Sequence, residues 1–300
     1  MTETLADAAT AIALGRRDRQ EDAVIADFAR GAELGLAVLS DGMGGHEDGN
    51  LASRAIVAEL FGALSLQSAW LDDLRADAPA RLRHALLGAN QRLRDHIDAG
   101  LGHQGMGGTA IATLIMDGTL RWISVGDSPL YLYRDGQLRR LNADHSIGAQ
   151  IDLMVREGAM DAETGRCHPQ RNCLTSALTG NAISLIDCPA EALRLHAGDI
   201  VVLASDGLQI LEDRQIAQIL SRTARGSSDR IAQALISGVT RKASPDQDNV
   251  SLVVIKPVIA ANRAKTGHPD RLGQAMVQAA ERLRHALAPR RPPAQTRMSR

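Results

Sequence analysis

Four short apolar runs in this chain are each bordered by an aspartate, and this feature constrains the fold more than any other. The aspartates are Asp41, Asp127, Asp206 and Asp248, beside runs 36–40, 120–125, 200–204 and 250–255. Runs of this length and composition, broken by Gly or Ser, are typical of β-strands. Carboxylates gathered at strand ends repel one another unless a cation lies among them, and Mg²⁺ and Mn²⁺ prefer all-oxygen ligands. The pattern therefore predicts strands that bring a divalent metal site together.

A plain turn is the alternative interpretation of each aspartate, because Asp-Gly after a strand is a common turn signal. The four together favour a metal site, since the runs beside them are too apolar for surface hairpins and a buried carboxylate needs a compensating charge. Arg17 lies close in sequence to Glu21 and Asp22. A guanidinium matches phosphate oxygens bidentately, so this segment is a second candidate, although charged turns are often simply solvated.

Composition excludes several classes of protein. The apolar fraction is 44% with only 2% aromatic residues, and the net charge of −1 gives no indication of a nucleic-acid partner. The cysteines, Cys167, Cys173 and Cys188, follow no zinc spacing and fit a reducing compartment. No run approaches the roughly 18 apolar residues that a membrane span needs, and the first residues lack a signal-peptide pattern. We expect a cytoplasmic protein with no membrane span.

Charge is divided unevenly along the chain. Residues 257–300 contain nine Lys or Arg and two acids, and their composition shifts to Ala, Arg and Pro. We therefore expect a folded domain over 1–256 and a basic C-terminal tail over 257–300. The tail has one helical pattern at about 271–288 and is otherwise predicted to be disordered. A solvated basic helix and a docking segment for an acidic partner or membrane surface are both compatible with it.

The order of predicted elements favours an α+β fold. We predict a hairpin over 10–28, strands at 36–40, 109–116, 120–125, 130–134, 185–195, 200–204 and 250–256, and helices at 46–66, 78–99, 213–222 and 228–242. Asp117-Gly118 and Asp135-Gly136 are strong hairpin signals and argue for antiparallel sheets. Residues 142–180 change character, with one short helical pattern at 149–157, and are interpreted as an irregular flap. Helices grouped apart from strands predict a layered arrangement.

A family resemblance rests on seven short motifs in order. They are Arg17-x-x-Gln20-Glu21-Asp22, Ser40-Asp41-Gly42-Met43-Gly44-Gly45-His46, Gly105-Met106-Gly107-Gly108-Thr109, Val125-Gly126-Asp127-Ser128, Asp144-His145-Ser146, Ser205-Asp206-Gly207-Leu208 and Asp248-Asn249-Val250-Ser251. In order and spacing they resemble the type 2C metal-dependent Ser/Thr protein phosphatases, in particular the bacterial branch, over about residues 10–256. The resemblance implies a four-layer α-β-β-α sandwich with two central antiparallel sheets and metals at one edge.

The same resemblance implies roles for individual residues, with two Mg²⁺ or Mn²⁺ ions per chain. Asp41 matches the carboxylate that bridges both metals and Gly42 the residue that lends its backbone carbonyl. The other matched metal ligands are Glu21, Asp206 and Asp248, and Asp127 with Asp206 matches a third site. Arg17 matches the phosphate-binding arginine, while Asp22 and Asn249 match residues that support the ligands from behind. The family hydrolyses phosphoserine and phosphothreonine in proteins with a metal-activated water, and no covalent phospho-enzyme is needed.

Four residues depart from the family pattern. Gln20 replaces an asparagine, and Gly108 replaces a threonine; we expect both to be structural changes. Met43 stands where eukaryotic enzymes have a histidine proposed as general acid, so that role falls to another group. Ile210 replaces a further aspartate and weakens the third metal site.

The expected partners are a phosphoprotein substrate and a bacterial Ser/Thr kinase that the enzyme opposes, with no nucleic acid, and we expect a monomer. Two alternatives stay open. A pseudo-phosphatase would bind phosphoproteins without turnover, although such proteins usually lose metal acids. The same chemistry could also act on a phosphate ester that is not a protein. Specificity is expected in the flap, 142–180, and in the tail.

Overall fold

Residues 5–44 and 48–258, which the computed structural model describes, contain two antiparallel β-sheets. The strands are β1 (Ala6–Ala13), β2 (Asp22–Asp27), β3 (Gly35–Met43), β4 (Gly107–Gly108), β5 (Ala110–Met116), β6 (Thr119–Val125), β7 (Leu130–Arg134), β8 (Gln137–Arg140), β9 (Leu193–Arg194), β10 (Ile200–Ala204) and β11 (Val250–Pro257). One sheet has the order β1-β11-β10-β7-β8 and the other β2-β3-β5-β6-β9, with β4 paired to β3. This is the predicted α+β class with antiparallel sheets.

Helices cover the outer face of each sheet. Among the described residues, the helices are α1 (Asp48–Leu66), α2 (Leu71–Ala76), α3 (Ala78–Asp98), α4 (Ile147–Arg156), α5 (Ala162–Arg166), α6 (Asp213–Thr223) and α7 (Ser228–Thr240), with 3₁₀ turns at Gln67–Trp70 and Asp206–Ile210. Helix α1 packs on β2 and β3, and α3 packs against α1 and β6. Helices α6 and α7 pack on the sheet that contains β10 and β11. The layers therefore follow the predicted order α-β-β-α.

The alternation of side chains along the strands explains why both faces of each sheet are buried. In β10, Val201 and Leu203 face the core between the sheets, whereas Ile200 and Val202 face the helices. The sheet-to-sheet core also contains Trp122, which lies on β6. Because successive residues of a strand point to opposite faces, a run of apolar residues without alternation is what a doubly covered strand requires.

Local signals account for the helix ends and for two of the turns. The Asp77 carboxylate accepts the N–H of Ala80 at 3.1 Å and caps α3, and Gly100, two residues after the end of α3, has a φ of 70°. Capping side chains satisfy N–H groups that have no partner within the helix, and glycine adopts positive φ without strain. Both predicted Asp-Gly turns join antiparallel strands, β5 to β6 and β7 to β8. In each turn both central residues have positive φ, as a tight hairpin of this kind requires.

Two predicted strand arrangements are wrong. Residues 10–28 do not form a hairpin, because β1 pairs with β11 in one sheet and β2 pairs with β3 in the other. The polar segment between them crosses from sheet to sheet instead of reversing within one. The predicted strand 185–195 is reduced to β9 and a single bridge between Asp187 and Ser124. Apolar composition alone could not distinguish a pairing strand from an extended segment.

The predicted helices agree with α1, α3, α6 and α7 within a few residues, and the flap contains α4 near the predicted 149–157. Helices α2 and α5 were not predicted, since six and five residues are too few for a clear periodic pattern. His46 and most of the tail, residues 259–300, lie outside the described residues. In the described part of the chain, no helix combines the length and hydropathy that crossing a bilayer demands.

Adjacent leucines on α3 provide a matched test of the packing. Leu86 is fully buried in the apolar core to which α1, α3 and the sheet contribute, whereas Leu87 is 53% exposed. Leu86→Ala is expected to lower the free energy of unfolding by about 3 kcal/mol, because it removes buried methyl groups and leaves a cavity. Leu87→Ala is expected to change it by less than about 0.5 kcal/mol. Urea titrations of both variants measure their free energies of unfolding. Equal losses of stability in the two variants would contradict the described packing of α3.

Candidate active site

One cavity of about 720 Å³ at an edge of the sandwich collects nearly all of the predicted site residues. It is lined by Arg17, Glu21, Asp41, Gly42, Asp127, Asp206, Asp248 and Asn249, among others. The remaining predicted residue, Asp22, does not line the cavity and is only 5% exposed. A larger cavity of about 1610 Å³ shares Arg17, Glu21 and Gly44 with it. The smaller cavity is the candidate site, because the aspartates from four separate segments meet there.

Strand ends and strand connections place these acids. Asp41 lies near the end of β3 and is paired in register with Asp22 at the start of β2. Asp206 begins the 3₁₀ turn that follows β10, and Asp248 lies two residues before β11. Asp127 lies in the connection through which the chain passes from β6 in one sheet to β7 in the other. Both sheets therefore contribute acids to the same edge.

Asn249 joins the segment between β1 and β2 to the start of β11. Its side-chain carbonyl accepts the N–H of Glu21 at 2.7 Å, and its amide donates to the backbone carbonyls of Leu14 at 2.8 Å and Arg19 at 3.0 Å. Asn249 is only 3% exposed, so these bonds are shielded from water. The side chain thereby fixes the backbone that carries Arg17 and Glu21.

Arg17 places a guanidinium at the mouth of the cavity. Its Nη2 donates to Asp248 Oδ2 at 2.6 Å, and the side chain is 57% exposed. The charge of Asp248 raises the pKa of Arg17, with smaller contributions from Glu21 and Asp206. An exposed guanidinium has further donors for a second anion, and its fork geometry matches phosphate oxygens.

Asp22 lies behind the cavity in a closed environment. Its carboxylate accepts a hydrogen bond from the hydroxyl of Ser205 at 2.7 Å. Burial raises the pKa of Asp22 to about 6, with added repulsion from Asp206 and Asp248, although the hydrogen bond from Ser205 acts in the opposite direction. Because a nearby cation stabilises the charged form of a buried carboxyl, Asp22 favours the binding of cations in the cavity.

The carboxyl groups that line the cavity raise one another's pKa. Burial, followed by the charges of Asp206 and Asp22, raises the pKa of Asp41 well above its usual value. Burial and the charge of Asp248 raise the pKa of Asp206, whose carboxyl also lies within hydrogen-bonding reach of Asp41. Burial, with the charges of Asp206 and Asp144, raises the pKa of Asp127 to about 7. The uncompensated carboxylates are therefore unfavourable in this site, and the binding of protons or metal ions stabilises it.

A metal ion fits the chemistry of these donors. Oδ1 of Asp206 is buried without a hydrogen-bond partner, and the predicted ligands that line the cavity offer carboxylate and carbonyl oxygens, which Mg²⁺ and Mn²⁺ prefer. Among the described residues, however, no three Asp, Glu, His or Cys side chains are arranged to close around one ion as they stand. Asp248 is paired with Arg17 instead, so an ion that bound here would have to compete with that pair.

Gly49 was not singled out from the sequence, yet it shapes the site. A Cβ at this position would lie 2.9 Å from Oε2 of Glu21 and 3.2 Å from the carbonyl oxygen of Gly42. These two predicted ligands therefore converge on one point at the first turn of α1. Its spacing of seven residues after Gly42 is the only sequence signal, and a glycine near a helix start is too common to be informative.

Thr109 supports Asp41 from β4's side of the site. Its hydroxyl accepts the N–H of Asp41 at 2.9 Å and lies 2.8 Å from the hydroxyl of Ser128. Gly108 must lack a side chain, because a Cβ there would lie 2.7 Å from the carbonyl oxygen of Asp41. The expected packing role of Gly108 agrees with this close approach.

Two other departures from the family pattern, Gln20 and Ile210, and the motif residue His145 have structural explanations. The side chain of Gln20 accepts the N–H of Asp22 at 3.0 Å and donates to the carbonyl of Ala13 at 3.3 Å, which is a structural role. Ile210 packs against the core beneath α6 and α7, so its side chain is not a ligand. His145 is buried and accepts the N–H of Gly126 at 3.2 Å. Burial lowers the pKa of His145, which fits a neutral structural histidine.

The raised pKa of Asp127 predicts how the metal-free protein responds to pH. The pKa rises from 3.8 to about 7 on folding, so the folded chain binds more protons between these values and loses stability as pH rises through that window. Asp127→Asn removes this loss and is expected to raise the free energy of unfolding by up to about 4 kcal/mol at pH 8.

Urea titrations with chelator from pH 4 to pH 8 measure this difference between Asp127→Asn and the parent protein. It is expected to grow up to about pH 7 and to stay constant above it. The exposed Asp98, at the end of α3, provides the control variant Asp98→Asn. The same pH dependence in both variants would contradict the assignment to Asp127.

Comparison with known proteins agrees with this arrangement. The sequence pattern of the protein phosphatase 2C family matches residues 14–239. Serine/threonine protein phosphatase PstP of Mycobacterium tuberculosis is 34% identical over 247 residues, which cover 79% of this chain and 42% of PstP. This chain therefore spans less than half the length of that relative.

Solved structures show the same fold. The crystal structure of PstP from M. tuberculosis superposes with a TM-score of 0.69 at 30% identity, covering 85% of this chain and 99% of that chain. The catalytic domain of PstP in complex with two manganese ions gives a TM-score of 0.66 at 30% identity over the same shares. With the family pattern spanning both sheets and most of the acids of the cavity, this chain belongs to the protein phosphatase 2C family, in its bacterial branch.

Proposed function

We propose that this chain is a Mg²⁺- or Mn²⁺-dependent phosphatase that hydrolyses phosphoserine and phosphothreonine in proteins. The observation that carries the proposal is the meeting of Asp41, Asp127, Asp206 and Asp248 at one cavity, with an exposed arginine at its mouth. Membership of the family and the manganese ions bound by the related PstP domain support it.

The residues that would hold two ions are Glu21, Asp41, Asp206 and Asp248 with the carbonyl of Gly42, and Asp127 with Asp206 would hold a third. When bound, such ions supply Lewis-acid activation of water and neutralise charge on the phosphoryl group. Asp41 lies opposite Asp22 in the pairing of β3 with β2, and its pKa is raised by Asp206, Asp22, Asp127 and Asp248. That position suits a carboxylate shared between two cations.

Arg17 would bind and orient the phosphoryl group. The transition state of phosphoryl transfer spreads negative charge over oxygens that a guanidinium can contact with two parallel hydrogen bonds. Asn249 fixes the backbone at Arg19 and Glu21, so Arg17 and Glu21 keep a constant position relative to Asp206 and Asp248. Preorganised donors of this kind reduce the cost of rearrangement during reaction.

The biological setting follows from this chemistry as a further part of the proposal. The substrate is a phosphoprotein, and a bacterial Ser/Thr kinase that the enzyme opposes supplies it. The domain boundary at 256, the flap at 142–180 and the cytoplasmic location remain predictions from the sequence. So do the monomeric state and the role of the tail.

Metal-dependent release of phosphate from a phosphothreonine peptide tests the reaction. Turnover is expected with Mn²⁺ or Mg²⁺ and not with chelator. Asp41→Asn and Asp248→Asn are each expected to lower kcat at least about 100-fold, because each removes a charge that the cations need. Asp229→Asn, at an exposed position on α7, is the control and should retain activity.

Three results would contradict the proposal. Full activity in either aspartate variant would exclude the proposed site. Peptide binding without turnover by the folded parent protein would favour a phosphoprotein-binding module. Faster turnover of small phosphate esters than of any phosphopeptide, in kcat/KM, would favour a substrate that is not a protein.

The role of Arg17 is tested by a substitution that keeps its charge. Arg17→Lys loses the planar fork and is expected to lower kcat/KM by about 10- to 100-fold, mainly through weaker phosphate binding. Arg214→Lys, an exposed position on α6, controls for the change of residue type. Steady-state kinetics on one phosphopeptide measure both variants, and parental kinetics in Arg17→Lys would exclude bidentate binding by Arg17.

A further inference from the structure

The segment 172–184 forms one wall of the cavity, and helix α3 holds it from behind. Thr175, Thr179 and Ser184 are among the wall residues that line the cavity. This wall contains no predicted metal ligand and no residue with a proposed chemical role. We therefore expect the contacts that fix this wall to affect the binding of the substrate and not the chemical step.

Asn90 of α3 bonds three consecutive residues of this wall. Its side-chain carbonyl accepts the N–H of Thr179 at 3.2 Å and that of Gly180 at 2.9 Å, and its amide donates to the carbonyl of Asn181 at 2.6 Å. Asn90 is only 9% exposed. One turn later, Arg94 Nε donates to the carbonyl of Gly180 at 3.0 Å, and its guanidinium also bonds the side chain of Asn181.

Gly180 allows the wall to approach the helix this closely. Its φ is 75°, and a Cβ would lie 2.9 Å from the backbone N and Cα of Arg94. A side chain here would be strained and would also push the wall away from α3. The close approach of segment 172–184 to α3 therefore depends on Gly180 in the wall and on the hydrogen bonds of Asn90 in the helix.

The same wall is connected to the acids of the site. Leu178 and Gly108 exchange two backbone hydrogen bonds, at 2.9 and 3.0 Å, and Gly108 lies directly against the carbonyl of Asp41. The N–H of Thr175 donates to the carbonyl of His145 at 2.8 Å. Asn90 therefore sets the position of a wall that overlaps the end of the flap, 142–180, and that is also attached beside Asp41 and at His145.

We propose that Asn90 and Arg94 are positioning residues, which hold the wall 172–184 as the surface that binds the peptide on either side of the phosphorylated residue. This inference rests on the proposed function. A phosphoprotein segment is larger than its phosphoryl group and must contact the cavity beyond Arg17 and the acids. The wall supplies that surface. The hydrogen bonds between Leu178 and Gly108 fix its distance from Asp41.

The test compares three alanine variants on one helix. Asn90→Ala and Arg94→Ala remove contacts to the wall, whereas Gln91→Ala removes only a hydrogen bond to Asp95 within α3. For a phosphothreonine peptide with Mn²⁺, the first two are expected to raise KM about tenfold, the ratio that one hydrogen bond of ordinary strength gives, with kcat within about twofold. Turnover of p-nitrophenyl phosphate, which lacks the peptide, is expected to stay near the parental rate in all three.

A second readout follows the wall itself. Hydrogen exchange of the amides of Thr179 and Gly180 is expected to accelerate in Asn90→Ala and to stay unchanged in Gln91→Ala. Asn90→Asp keeps an oxygen that accepts these two N–H groups but loses the amide that donates to the carbonyl of Asn181, so it is expected to restore part of the parental KM. If Asn90→Ala does not fold, Arg94→Ala and Asn90→Asp carry the same comparison.

Two results would overturn the inference. One is faster exchange in the wall with an unchanged KM for the peptide. The other is an equal loss on the peptide and on p-nitrophenyl phosphate, which indicates a structural role alone. If the parent protein hydrolyses neither substrate, the proposed function fails, and fluorescence anisotropy of the labelled peptide then decides the inference: weaker binding by Asn90→Ala than by Gln91→Ala supports it, and equal binding overturns it.

Discussion

The main constraint on this structure is the electrostatic repulsion among carboxyl groups that the fold brings to one edge of the sandwich. The fold must hold these groups together against that repulsion. Asp41, Asp127 and Asp206 have raised pKa values because they are buried near one another. Such an arrangement costs free energy in any protein unless cations compensate it. The raised pKa values mean that these groups bind protons more readily than free carboxyls do, and Arg17 compensates the charge of Asp248. The rest of the fold supplies the packing that keeps these groups together.

That packing comes from two sheets whose strands are buried on both faces. Each of the strands β3, β5, β10 and β11 sends alternate side chains to the sheet-to-sheet core and to a helix layer. A strand fixed from both sides cannot slip in register without exposing an entire row of apolar side chains. The acids at the strand ends are therefore held by the register of apolar residues several positions away.

Much of this could be predicted from the sequence, for identifiable reasons. The aspartates were found because each borders an apolar run, and the hairpins at Asp117 and Asp135 because Asp-Gly has a turn-specific backbone requirement. The pairing of β1 with β11 could not be predicted, since it joins segments more than 200 residues apart and neither carries a local signal for its partner. Gly49 and Asn90 were missed for the same reason, because their importance lies in contacts with distant segments.

The crossing of the chain between β1 and β2 has a consequence for folding. Arg17 and Glu21 lie in that crossing, and they are fixed by Asn249 at the other end of the folded chain. A site of this kind has no precursor in any local element, because it exists only after β1 has paired with β11 and both sheets have docked. Contacts of such long sequence separation close late and slowly. A nascent or partly folded chain therefore lacks the complete cavity, and the role proposed for Arg17 becomes available only in the last stage of folding.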